Sequence, residues 1–83
     1  MVEAVVLVNT DFESPRDQVL EDLKEINGVN KAFTTAYSVY DFVARVRTKT
    51  VNELKKRVLE RIRKIDAVMS ITILVVSRKS LWR

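Results

Sequence analysis

Two segments with helical spacing lie between four short apolar runs in this chain of 83 residues. The first run, Glu3-Ala4-Val5-Val6-Leu7-Val8, is β-rich and apolar at both parities, which predicts a strand covered on both faces. Residues 9–13 form a polar connection. Ser14 then offers an N-cap, Pro15 suits the first helical position, and Asp17 sets an acidic first turn that favours the helix dipole. Val19, Leu20, Leu23 and Ile26 make the apolar stripe of a helix that should run to about Asn27, where Gly28 supplies a left-handed stop. Residues 31–37 read as a second strand, with Ala32, Thr34 and Ala36 on one face and Phe33, Thr35 and Tyr37 on the other. After the hinge Tyr37-Ser38-Val39-Tyr40-Asp41, a third strand alternates Phe42, Ala44 and Val46 against Val43, Arg45 and Arg47. Thr50 with Glu53 is a capping-box signature for a second helix striped by Leu54, Val58, Leu59, Ile62 and Ile65. Residues 69–76 form a fourth strand, in which Ser70 and Thr72 stand among aliphatic side chains.

The chain carries a rough copy of itself. At an offset of 39 residues, Val19, Leu20, Leu23, Ile26 and Val29 fall on Val58, Leu59, Ile62, Ile65 and Val68. Each half reads strand, helix, strand, and the hinge joins the halves. Two right-handed βαβ units in one sheet predict an α+β, ferredoxin-like βαββαβ domain: a four-stranded antiparallel sheet with both helices on one face. Carried to the strands, the same offset pairs Val5 with Ala44 and Leu7 with Val46 as helix-facing. Ala4, Val6 and Val8 are then expected on the open face, where a contiguous apolar surface calls for burial against a second sheet. These three residues are the expected dimer interface.

Composition narrows the chemistry. The length fits a single domain, residues 1–83, with a basic tail at 77–83 and no room for a second unit. There is no cysteine and no histidine, so disulfides, thiolate metal sites and the commonest general base are excluded. The reading is therefore no enzyme, no catalytic or metal-binding residues and no cofactor. With no signal-peptide pattern and no long apolar run, the expected location is cytoplasmic, without membrane association. The net charge of +4 hides an asymmetry: residues 1–30 hold seven acidic and two basic side chains, residues 31–83 four acidic and thirteen basic. Such a dipolar chain can bind copies of itself. Its basic half also suits a small nucleic-acid-binding protein, although no Lys/Arg-Gly-aromatic run of the RNA-recognition type is present. Acylphosphatase-like chemistry would need an anion-cradling loop after the first strand, and Asn9-Thr10-Asp11-Phe12-Glu13 is acidic and lacks glycine.

One carboxylate occupies a special position. Asp41 ends the hinge beside the sheet, where it suits either a ligand ammonium or its own backbone amides as a turn residue. Ser70 and Thr72 offer hydroxyls on one face of strand four, for a ligand carboxylate or for neighbouring backbone.

Taken together, the Val-Leu-x-x-Leu-x-x-Ile helix, the Tyr40-Asp41 hinge, the Leu-Lys-x-x-Val-Leu-x-x-Ile helix and the Ser70-x-Thr72 strand resemble the Lrp/AsnC family. The match is to its effector-binding RAM domain and covers residues 2–76. The resemblance implies an amino-acid-responsive regulatory domain that forms dimers and then octameric rings, with the effector held between dimers. Carried over, Asp41 meets the effector ammonium, Ser38, Val39 and Tyr40 line the pocket through their backbone, and Ser70 and Thr72 lie at its other side. The family's glycine three residues before the aspartate is Ser38 here, whose Cβ hinders close backbone approach to a ligand. No helix-turn-helix is visible. The expected protein is a stand-alone effector domain that does not bind an operator itself, assembles with copies of itself and modulates transcription by co-assembly with full-length regulators. The alternative is a ligand-free assembly module.

Overall fold

The computed structural model describes residues 1–11, 13, 15–36 and 39–76. The expected cap Ser14, the expected strand residue Tyr37, the expected pocket residue Ser38 and the basic tail lie outside them. Strand β1 (Val2–Thr10) leads to helix α1 (Arg16–Lys24) and strand β2 (Val29–Thr34). Strand β3 (Phe42–Thr48), a second helix α2 over residues 51–63 and strand β4 (Val68–Val76) complete the second half. All pairings are antiparallel in the order β2-β3-β1-β4, so β1 and β3 are central. This is the expected ferredoxin-like sheet with two helices on one face.

The core between sheet and helices is wholly apolar among the described residues. Val19, Leu23 and Ile26 of the first half meet Leu54, Val58, Leu59 and Ile62 of the second over Val6, Val8, Phe42 and Ala44. The capping box forms in part: Thr50 Oγ1 accepts from the Glu53 amide at 3.1 Å, while the Glu53 carboxylate takes the amide of Lys49 at 3.3 Å instead of that of Thr50. Within α2, residues Leu54–Leu59 form a π-helical stretch, and the adjacent Val58 and Leu59 are both buried there. The internal repeat extends to backbone hydrogen bonding. The Val29 amide donates to the Ile26 carbonyl at 3.1 Å, and its 39-residue counterpart, Val68 to Ile65, measures 3.0 Å.

Helix α1 ends at Lys24, three residues before the expected last residue, Asn27. Gly28 therefore belongs to the turn between Ile26 and Val29, with φ +102°. A Cβ at this position would stand 2.9 Å from Val58 Cγ2, whose side chain is fully buried, in a backbone conformation that already disfavours L side chains. Gly28→Ala is expected to cost about 1–3 kcal/mol in urea denaturation with an unchanged m-value. A loss under about 0.5 kcal/mol would show that the turn relaxes freely.

The face assignment of β1 is the main correction. Ala4, Val6 and Val8 are buried beneath the helices, at 3%, 0% and 0% exposure, and do not form the open face. Val5 and Leu7, expected inside, point the other way. The register explains it: Ala4 pairs with Val46, Val6 with Ala44 and Val8 with Phe42, so even positions of β1 and β3 share the helix face. Five residues separate β1 from α1, whereas only Lys49 and Thr50 separate β3 from α2. An offset correct for the helices thus slips to the wrong parity in these two strands. In β2 and β4 the offset holds, since Ala32 and its counterpart Ile71 both face the core.

The open face carries Val5 and Leu7 of β1, Phe33 of β2, Val43 of β3, and Thr72 and Leu74 of β4, which fall side by side in the strand registers. Phe33 and Leu74 are about half exposed, at 43% and 54%. At the end remote from the hinge, Arg47 and Glu3 pair across this face at 3.0 Å.

Candidate functional site

Asp41 is held where three strands and a helix converge. Its amide donates to the Val8 carbonyl at 2.9 Å, and its own carbonyl accepts from the Thr35 amide at 3.1 Å, so the backbone is tied to both β1 and the end of β2. The Thr35 hydroxyl donates to the Tyr40 carbonyl and closes the base of the hinge. These bonds leave the side chain little freedom. Its Oδ2 accepts from the Thr10 amide at 2.8 Å and from the Thr10 hydroxyl at 3.4 Å, while Oδ1 pairs with Arg16 Nη1 at 3.3 Å. Arg16 also donates from Nη2 to the Asp41 carbonyl at 3.2 Å, and its guanidinium lies 5.1 Å from the centroid of the Phe42 ring.

The Thr10 amide is the largest influence on this carboxylate: a charge-accepting backbone hydrogen bond favours the ionised form and holds Asp41 below the ordinary carboxylate pKa. Partial burial works in the opposite direction, and the Arg16 hydrogen bond and charge add to the lowering. Because the folded-state pKa is depressed, the contribution to stability is present above the unfolded value of about 3.9 and is lost as pH falls through the folded value. Asp41→Asn should therefore cost about 1 kcal/mol at pH 7, the scale of a charge-assisted hydrogen bond and a half-exposed ion pair, with the gap to the parent closing below about pH 4. Denaturant titrations of both proteins at neutral pH and well below the folded pKa check this. A gap that stays constant with pH would assign the loss to packing.

The other expected site residues are dispersed around this corner. Ser70 and Thr72 are exposed on the open face, opposite Asn9 and Leu7 of β1. Asn9 Nδ2 reaches Ser70 Oγ at 3.4 Å, and its buried Oδ1 has no hydrogen-bond partner among the described residues. The Asp41 carboxylate instead turns toward Thr10 and the start of α1. Asp41 and the Ser70–Thr72 pair therefore flank the C-terminal end of β1 without direct contact among the described bonds. Val39 is 82% exposed at the hinge and Tyr40 is half-buried beside Asp41. Five surface concavities, of about 220–380 Å³, are lined by residues other than Asp41, Ser70 and Thr72.

Sequence reasoning missed Thr10 and Arg16. Arg16 leaves one faint signal, since a cation in the first turn opposes the helix dipole and so suggests a nearby anion. Thr10 acts mainly through its backbone amide, which no residue type announces. Among the described residues there is no cluster of three or more metal-ligating side chains, and no helix is long and apolar enough to cross a membrane.

Comparison with known proteins agrees with this architecture. TTHA0845 of Thermus thermophilus superposes with a TM-score of 0.84 at 28% identity, over 94% of this chain and 95% of that one. A feast or famine regulatory protein of M. tuberculosis, solved with L-methionine, has a TM-score of 0.73 at 25% identity and covers 100% of this chain and 56% of its own. E. coli AsnC, at 20% identity, shares the fold with a TM-score of 0.84, and this chain spans 54% of its length. No curated protein matches. The sequence profile of the Lrp/AsnC ligand binding domain covers residues 3–81, and the chain belongs to that family.

Proposed function

We propose that this chain is an amino-acid-responsive regulatory domain that acts as a homo-oligomer. The observation that carries the reading is Asp41, an ionised carboxylate fixed at the hinge by backbone bonds to Val8 and Thr35. A carboxylate so placed suits an ammonium group, and the M. tuberculosis relative solved with L-methionine makes a free amino acid the natural ligand class. A ligand ammonium would take over the place of Arg16 on Oδ1, while Thr10 keeps Oδ2. Val39 and Tyr40 would border the ligand on the hinge side. Ser70 and Thr72, on the open face, would meet it from a neighbouring copy or from the far side of β1.

Association itself would use the open face. Val5, Leu7, Phe33, Val43 and Leu74 form an apolar surface of the kind that oligomers bury, and sheet-to-sheet packing about a two-fold axis covers it in both copies. Regulators of the family that carry a DNA-binding domain would then be partners for mixed assemblies, bringing ligand occupancy to DNA. Neither a reaction nor a cofactor enters this account.

Calorimetric titration with L-methionine, followed by the remaining amino acids, tests the reading. Saturable binding of one side-chain class is expected. No heat from any amino acid, with the assembly intact, would leave a ligand-free assembly module in its place.

A further inference from the structure

Among the described residues, one buried side-chain oxygen or nitrogen lacks a hydrogen-bond partner, and it is Oδ1 of Asn9. A buried acceptor left unpaired is costly, and native chains keep few of them. The place of Asn9 in the sheet gives this one a use. It lies on the open face at the C-terminal end of β1, directly opposite Ser70 of β4, and Leu7, the next residue of that face, is opposite Thr72. Asp41 brackets it from the β3 side: the Asp41 amide donates to the Val8 carbonyl at 2.9 Å, and Asp41 Oδ2 accepts from the Thr10 amide at 2.8 Å. Asn9 thus stands between the carboxylate at the hinge and the hydroxyls of β4. Its Nδ2 reaches Ser70 Oγ at 3.4 Å, a long bond, and the oxygen of the same amide is turned away from Ser70. The residue is partly exposed, so a rotation about χ2 brings Oδ1 from its cover to an incoming donor.

We infer that Asn9 selects the side chain of the ligand, and that the favoured class is an amino acid with an uncharged, hydrogen-bond-donating side chain, a carboxamide fitting best. The inference rests on the amino-acid reading of the Asp41 site. Each alternative class meets a cost. An aliphatic or thioether side chain leaves Oδ1 without a donor. A carboxylate side chain sets a second acceptor beside Oδ1 and a second negative charge near Asp41. A cationic side chain enters beside Arg16, whose Nη1 lies 3.3 Å from the Asp41 carboxylate. A carboxamide N–H, by contrast, donates to Oδ1 while its carbonyl accepts from the hydroxyl of Ser70 or Thr72. Because Oδ1 is shielded from solvent in the free chain, this bond is gained without giving one up to water.

Calorimetry on the full chain with L-glutamine and L-methionine, whose side chains are of similar length, tests the inference. Glutamine should bind at least about tenfold more tightly than methionine, because only glutamine pairs the buried acceptor. Asn9→Leu keeps the size of the side chain and removes both polar atoms. In this variant the preference should disappear, with methionine bound as in the parent or more tightly. Asn9→Ala, which demands no space, repeats the comparison, and circular dichroism checks that each variant is folded. Methionine bound as tightly as glutamine by the parent overturns the inference and leaves the amino-acid reading standing. A glutamine preference that survives in both folded variants overturns the role of Asn9. No binding of any amino acid by the parent overturns the inference together with the reading beneath it.

Discussion

Val6→Asp is expected to abolish folding, whereas Leu7→Glu, one residue away, should leave a folded chain that no longer dimerises. Val6 is fully buried beneath the helices, between Ala44 of β3 and Ile73 of β4. An unpaired carboxylate there costs several kcal/mol or is forced neutral, and either outcome consumes most of the roughly 5–10 kcal/mol that holds a domain of this size. Leu7 faces the open side, between Val43 and Thr72. A glutamate at this position stays in water in the monomer and is desolvated only when two sheets meet. Circular dichroism should show a coil for Val6→Asp and native structure for Leu7→Glu, and light scattering should show the parent assembly broken down in the latter. A folded Val6→Asp protein would contradict the burial described for β1. An unchanged mass for Leu7→Glu would exclude the open face as the interface.

At the hinge, Asp41→Ala should remove amino-acid binding while the assembly persists. Truncating one partner of a desolvated, hydrogen-bonded charge pair costs about 2–5 kcal/mol, a loss of roughly 30-fold or more in affinity. The Arg16 substitution should act in the opposite sense. Its ion pair with Asp41 has side chains 50% and 29% exposed, which places it in the range of about 0–1 kcal/mol. Arg16→Met therefore frees Oδ1 for a ligand ammonium and raises affinity by at most about fivefold. Calorimetry on both variants and the parent reads the two effects together. Undiminished binding in Asp41→Ala would remove this carboxylate from the site, and a large loss in Arg16→Met would make Arg16 a ligand contact instead of a competitor.

The fold was legible because its signals are local. The stripes from Val19 to Ile26 and from Leu54 to Ile65 identify amphipathic helices without reference to the rest of the chain, and the repeat between them implies two equivalent units. Strand parity was not legible by the same route. It depends on how many residues connect β1 to α1 and β3 to α2, and those connections differ in length, so Ala4, Val6 and Val8 were assigned to the wrong face. Alternation within β1 gave no independent check, because Val5 and Leu7 are as apolar as Val6 and Val8.

The site was legible only in outline. Asp41 stands out as an acidic residue closing a tyrosine-rich hinge, although among the described residues its carboxylate bonds Thr10 and Arg16 and not the amides of its own turn. Its tertiary partners are another matter. The Thr10 amide reaches it across 31 positions in sequence and Arg16 across 25. Such contacts follow from the sheet order β2-β3-β1-β4, which brings the end of β1 beside the start of β3, and not from any spacing within the hinge.

Native mass spectrometry of the purified protein, alone and with each of the common amino acids, tests the central claim most directly. The account predicts a homo-oligomer, dimeric or larger, that gains the mass of one class of amino acid per site and loses that gain in Asp41→Ala. A monomer at all concentrations, or an oligomer that retains no amino acid, would contradict it.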